Sequence, residues 1–144
     1  AGVRAAFVTL GLLIAALSVG VTRALGVESG GWIPFSTQAL ESAKAKGEVV
    51  VLDFTAEWCL NCKALESAVL HRSDVAEALS QPGVAAIKVD ITSRASDGWN
   101  LLHAYDRVSI PLLVVQRPDG TVTLKSDAYT PEQVLKALEQ ARAR

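Results

Sequence analysis

Methionine is missing from all 144 residues, and cysteine and histidine occur only twice each. A zinc site would need four ligands, yet His71 and His103 stand at no finger spacing from the one Cys-x-x-Cys, Cys59 and Cys62. No metal and no cofactor are therefore expected. An excess of one charge is also lacking: 14 basic side chains face 15 acidic ones, for a net charge of −1. Without a basic run there is no electrostatic footprint for nucleic acid. Internal repeats and low-complexity tracts are absent as well. With no methionine anywhere, the chain is expected to be a piece cut from a longer one.

What is abundant is apolar surface. Half of the residues are hydrophobic, and the mean hydropathy of +0.28 is high for a soluble domain. The excess sits between Arg4 and Arg23, where AAFVTLGLLIAALSVGVT runs for eighteen residues without a charge. As a helix this segment would be roughly 27 Å long, against about 30 Å of bilayer hydrocarbon. A transmembrane helix over residues 5–22 is the expected reading. A secretory signal peptide is the competing one, but no A-x-A cleavage site closes the segment. A buried core helix would need a second stretch of similar character to cover it. Arg4 and Arg23 flank the segment evenly, so the positive-inside rule does not orient it. The chain thus divides into an apolar helix with its flanks over 1–26, a linker VESGG over 27–31, and a domain over 32–144.

Within that domain Ser36 or Thr37 can cap a helix that ends at Gly47. VVVLDF, residues 49–54, reads as a strand buried on both faces. A helix is predicted from Cys59 to about Leu70, with Leu65, Ala68 and Val69 on one side, and a shorter one from Ser73. GVAAIKVDI, residues 83–91, is a second buried strand, and Asp97 opens a helix carrying Trp99 and Leu102. LLVVQ, the turn RPDG and TVTLK form a hairpin, and Pro131 starts the last helix behind Thr130. This order implies an α/β fold with a mixed sheet of four or five strands and helices on both faces.

Cys59 and Cys62 follow directly on the first buried strand and stand at the start of a helix. Side chains three apart on a helix approach within about 5–6 Å, close to what a disulfide needs, so the pair can open and close with little backbone movement. Cys59 at the helix N-terminus faces unpaired N–H groups that stabilise a thiolate, which makes it the attacking sulfur. Cys62, one turn further in, is the resolving thiol. A purely structural disulfide is the plainer alternative, but closing so short a loop removes little chain entropy.

DFTAEWCLNCK, residues 53–63, resembles the active-site segment of the thioredoxin superfamily, and SIPLLVV, residues 109–115, resembles its cis-proline loop. The resemblance covers residues 32–144. It narrows, with the apolar helix and the WIPFSTQALESAKAKGEVVVLDFTAEWCLNCKALE opening, to the C-terminal extracytoplasmic domain of the DsbD family. The resemblance implies Cys59 as nucleophile, Cys62 as resolving thiol and Pro111 as the cis-proline beside Ile110, whose backbone would pair with an incoming peptide. It implies Asp53 as the buried carboxylate behind the dithiol, with a raised pKa suited to proton transfer. Glu66 matches an acidic residue of the DsbD-type domain and would oppose thiolate formation. Lys88 would pair with Asp53, and Trp58 would shape the surface of the site. The plainer readings are a trans turn at Pro111, a solvent-reaching Asp53, a solvated helix carboxylate at Glu66 and an exposed edge position for Lys88. Leu60-Asn61 between the cysteines and Leu112 after the proline depart from the thioredoxin pattern.

The function expected from this reading is thiol-disulfide exchange outside the cytoplasm. The protein would be held at the bacterial inner membrane by residues 5–22, with its domain in the periplasm. It would reduce protein disulfides, including those met in cytochrome c biogenesis, with electrons from a membrane dithiol absent from this chain. An oxidase or isomerase of the same fold, and a non-catalytic adaptor that binds extended peptides, are the alternatives.

Overall fold

Seven consecutive residues, Val49–Thr55, form strand β2, and every one of them is buried. Its β-branched run has no polar face to offer water, so it takes the centre of a sheet. The structure, a computed structural model, describes residues 31–143. The predicted apolar helix over 5–22 lies outside the described residues, and no described helix is long and apolar enough to cross a membrane.

On one side β2 runs parallel to β3 (Val84–Asp90), in register from Val49 opposite Val84 to Thr55 opposite Asp90. On the other side it runs antiparallel to β4 (Leu112–Gln116), with Asp53 opposite Leu113. A hairpin joins β4 to β5 (Val122–Ser126), and the two-residue β1 (Ile33–Pro34) adds a parallel edge to β3. The sheet order is β1-β3-β2-β4-β5. Sequence patterning left the sheet at four or five strands because a two-residue strand shows no alternation. Pro34 is tolerated in β1 because an edge strand need not donate on both sides.

Alternation along β2 divides the core in two. Val50, Leu52 and Phe54 meet Leu40 of α1 (Thr37–Ala45) and Leu102 of α4 (Gly98–Ala104). Val49 and Val51 meet Val75 of α3 (Ser73–Leu79) and Val134 and Leu138 of α5 (Pro131–Arg142). Helices therefore cover both faces. Local chemistry sets their ends: the Ser36 hydroxyl accepts from the Ala39 N–H, and Thr130 and Gln133 form a reciprocal capping box.

The helix predicted from Cys59 to Leu70 is interrupted. It begins as α2 (Leu60–Leu65) and continues as a π-helical turn over Glu66–Leu70. Glu66, Val69 and Leu70 are buried in line with Cys62, while Ala68, expected on the inward face, is exposed.

One glycine is fixed by packing. A Cβ added at Gly98 would lie 2.7 Å from Val89 Cγ1 and 2.8 Å from Ile91 Cγ2. Gly98→Ala should therefore push α4 off β3 and destabilise the fold by about 1–3 kcal/mol. Urea unfolding checks this, and an unchanged midpoint would show that α4 can shift freely.

Candidate active site

The end of β2 delivers the chain through Ala56, Glu57 and Trp58 to Cys59, which caps α2. Cys59 and Cys62 are joined in a disulfide with their Cα atoms 5.3 Å apart. The Cys62 N–H donates to Cys59 Sγ at 3.2 Å, so the outer sulfur receives a first-turn amide of the helix. Cys62 Sγ lies 3.9 Å from the Phe54 carbonyl oxygen, at the end of β2. Of the two, Cys59 is the less buried, 7% exposed against 2%.

Asp53 and Thr55 follow Val49 and Val51 on the same face of β2. Asp53 is 2% exposed, and its Oδ2 has no hydrogen-bond partner among the described residues. Burial, reinforced by the charge of Glu66 and only partly offset by Lys88 and Lys63, pushes its carboxyl up to about 7. The solvent-reaching alternative for Asp53 is thereby set aside.

Glu66 is buried too, but it is well supplied with donors. The Thr55 hydroxyl donates to Oε1, Lys63 Nζ stands 3.4 Å from the same oxygen, and Lys88 Nζ stands 3.5 Å from Oε2. Burial works against its charge, yet the Thr55 bond together with Lys88 and Lys63 outweighs it and holds the carboxyl below its ordinary value. Glu66 is thus a buried anion and not a solvated helix carboxylate.

Lys88 corrects one expectation. It is the register partner of Asp53, but its ammonium reaches past that carboxylate to Glu66 and lies 6.0 Å from the centre of the Trp32 ring. A long side chain on a half-buried strand keeps its charged end near water, and Glu66 is the carboxylate met there. Tyr129, buried ahead of α5, completes the cluster. Burial, and then the charges of Asp53 and Glu66, raise its hydroxyl above the ordinary range.

The peptide bond between Ile110 and Pro111 is cis. Ser109, Ile110 and Pro111 face Asn61, Leu65 and Ala128 across an open groove on one side of the disulfide. On the other side Trp58 is mostly exposed, and its indole N–H donates to the Thr92 carbonyl at 3.3 Å. Leu60 and Val108 are also exposed, so apolar side chains project beside the disulfide. Among the described residues no group of three or more His, Cys, Asp or Glu is placed to hold a metal ion.

The family model described as thioredoxin-like matches residues 31–118, which contain the disulfide, both carboxylates and the cis-proline. The chain belongs to the thioredoxin-like family. Relatives of this thioredoxin-like domain include the thiol:disulfide interchange protein DsbD of Pseudomonas fluorescens, 39% identical over 83 residues. That match covers 58% of this chain and 14% of the relative. DsbD of Vibrio cholerae is 36% identical over 82 residues, covering 57% of this chain and 13% of that protein. The chain therefore spans only a small part of the curated relatives it matches. Among solved structures, the reduced C-terminal domain of Neisseria meningitidis DsbD superposes with a TM-score of 0.60 at 26% identity. It covers 76% of this chain and all of that domain, 100%.

Sequence reading of the thioredoxin-like domain marked Asp53, Glu66, Trp58, Ile110, Pro111 and both cysteines; the structure joins the cysteines, buries Asp53 and Glu66 in one charge cluster and makes the Ile110–Pro111 bond cis. It missed Thr55, Lys63 and Tyr129. The first two carried a signal: Thr55 is two residues from Asp53 on the same strand face, and Lys63 is three before Glu66 on one helix. Tyr129 comes from a distant loop and carried none.

The raised carboxyl of Asp53 has a consequence for stability. Its neutral form contributes stability that is fully present below the unfolded value near 3.8 and is lost as pH rises through about 7. Asp53→Asn cannot ionise, so at pH 8 it should be more stable than wild type by on the order of a few kcal/mol. The gap should close toward pH 4. Urea unfolding at both values measures it, and a gap independent of pH would place the ionisation elsewhere.

Proposed function

We propose that the protein is a thiol-disulfide oxidoreductase that reduces disulfides in partner proteins. The observation that carries this reading is the buried Cys59–Cys62 disulfide, its outer sulfur capping a helix and its rim apolar. In the reduced protein the Cys59 thiolate attacks one sulfur of a partner disulfide, forming a mixed disulfide and releasing the other partner sulfur as a thiolate. Cys62 gives its proton to Asp53 and attacks Cys59 Sγ. The partner leaves with both thiols reduced, two electrons have moved, and the Cys59–Cys62 disulfide remains.

The helix amide at Cys59 favours the attacking thiolate, whereas the neighbouring carboxylates restrain it. An orphaned Asp53 oxygen with a pKa about 7 suits a base that takes a proton and returns it near neutral pH. The Ile110 backbone ahead of Pro111 would pair with an extended partner segment, with Trp58 bounding the opposite side.

Residues 1–26 form the membrane tether in this reading, 27–31 the linker and 32–144 the catalytic domain. The length and lack of charge of residues 5–22 support the tether, and the DsbD relatives support a periplasmic domain at the bacterial inner membrane. Electrons would return from a membrane dithiol outside this chain.

Cys62→Ala should accumulate mixed disulfides with partner proteins, seen as thiol-sensitive adducts on non-reducing gels, because the resolving step is removed. Cys59→Ser should form none. Adducts on Cys59→Ser but not on Cys62→Ala would reverse the two roles, and wild-type protein unable to reduce insulin with dithiothreitol would leave only a binding module.

A further inference from the structure

Asp53 and Glu66 are both buried and interact through their charges, and the structure treats them unequally. Asp53 has an oxygen with no partner, while Glu66 has donors on both oxygens. We propose that Thr55 is a positioning residue: its hydroxyl pins Glu66 as the permanent anion of the pair and so leaves Asp53 as the group that exchanges a proton. This rests on the thiol-disulfide exchange proposed above and adds the residue that divides the labour between the two acids.

The donors to Glu66 differ in quality. Lys63 and Lys88 stand 3.4 and 3.5 Å away, with side chains 47% and 24% exposed. Both pairs hold the charge of Glu66, but each does so less than the Thr55 bond. The Thr55 hydroxyl is buried, and its bond to Oε1 is the short one. A buried hydroxyl donated to a carboxylate is a charge-assisted bond of roughly twice the strength of a neutral one.

Lys63 also fixes the direction of that bond. Its Nζ lies 3.5 Å from Thr55 Oγ1, so the threonine oxygen faces a cation and turns its proton toward Glu66. Asp53 is faced by Glu66 from the π-helical turn, Lys63 from α2, Lys88 from β3 and Tyr129 from the loop before α5. The disulfide beside it carries no charge, and Tyr129 stays neutral through the physiological range. Burial raises the proton affinity of Asp53 most, the charge of Glu66 adds to it, and Thr55 acts on Glu66. Sequence proximity favours this division, because Thr55 and Asp53 share one face of one buried strand and cannot shift independently.

The test is a carboxyl carbon NMR titration of the oxidised full chain between pH 3 and 9, which requires no turnover. In wild type Asp53 should titrate at about 7 and Glu66 below 4.5. Thr55→Val keeps the branched shape without the hydroxyl. It should raise the Glu66 midpoint far enough that the two titrations overlap, and so lower that of Asp53 by about one unit, a tenfold change in proton affinity. The acid limb of the exchange-rate profile should move down with it. Thr55→Ser should restore all three. The hydroxyl proton of Thr55 in the wild-type chain gives a readout that needs no variant: it should be protected from exchange at pH 7 and released as Glu66 is protonated. Midpoints unchanged in Thr55→Val, or a freely exchanging hydroxyl at pH 7, would overturn the proposal. Failure of the exchange reading shows separately, as absent mixed disulfides with these titrations intact.

Discussion

Two buried carboxylates, Asp53 and Glu66, share one charge cluster, and low dielectric makes two neighbouring negative charges expensive. One must yield its charge. The rest of the cluster follows from how that conflict is resolved: Glu66 collects the donors and Asp53 keeps an oxygen free, which in the proposed exchange is the oxygen that takes the proton.

The fold exists around this conflict in a specific sense. β2 supplies both Asp53 and Thr55 on one face while its other face anchors Phe54 and Leu52 against α1 and α4. β3 supplies Lys88 in register with Asp53, and the π-helical turn after α2 brings Glu66 inward. Four elements thus contribute to one charge cluster, while the cysteines ride on the cap of α2 at its edge.

Much of this was legible from residue order. VVVLDF marked the central strand because β-branched residues on both faces leave no room for solvent, and Cys59 with Cys62 marked the site because their spacing puts both sulfurs on one helical turn. The resemblance to the thioredoxin superfamily marked Asp53 as a buried carboxylate, and buried it is. Lys88 could not be assigned its partner, because register brought it level with Asp53 while the reach of its side chain carried it to Glu66. The π-helical turn was invisible to a 3.6-residue period, which put Ala68 on the buried face instead of Leu70. Tyr129 and the two-residue β1 depend on long-range packing that no local pattern encodes. The apolar run over 5–22 lies outside the described residues, so its tethering role stays with the proposal.

In the proposed function, buried negative charge opposes the thiolate of Cys59 and so makes the dithiol a reductant. With Leu60 and Asn61 between the cysteines, no intervening cation offsets that effect. A dithiol whose reduced form gains so little stabilisation should have a low potential, in contrast to an oxidase of this fold at about −120 mV. Equilibration of the full chain with glutathione, followed by the fluorescence of Trp58 beside Cys59, measures it directly. The account predicts a value below roughly −200 mV, toward the thioredoxin end of the scale at about −270 mV, and a value above about −150 mV would contradict it.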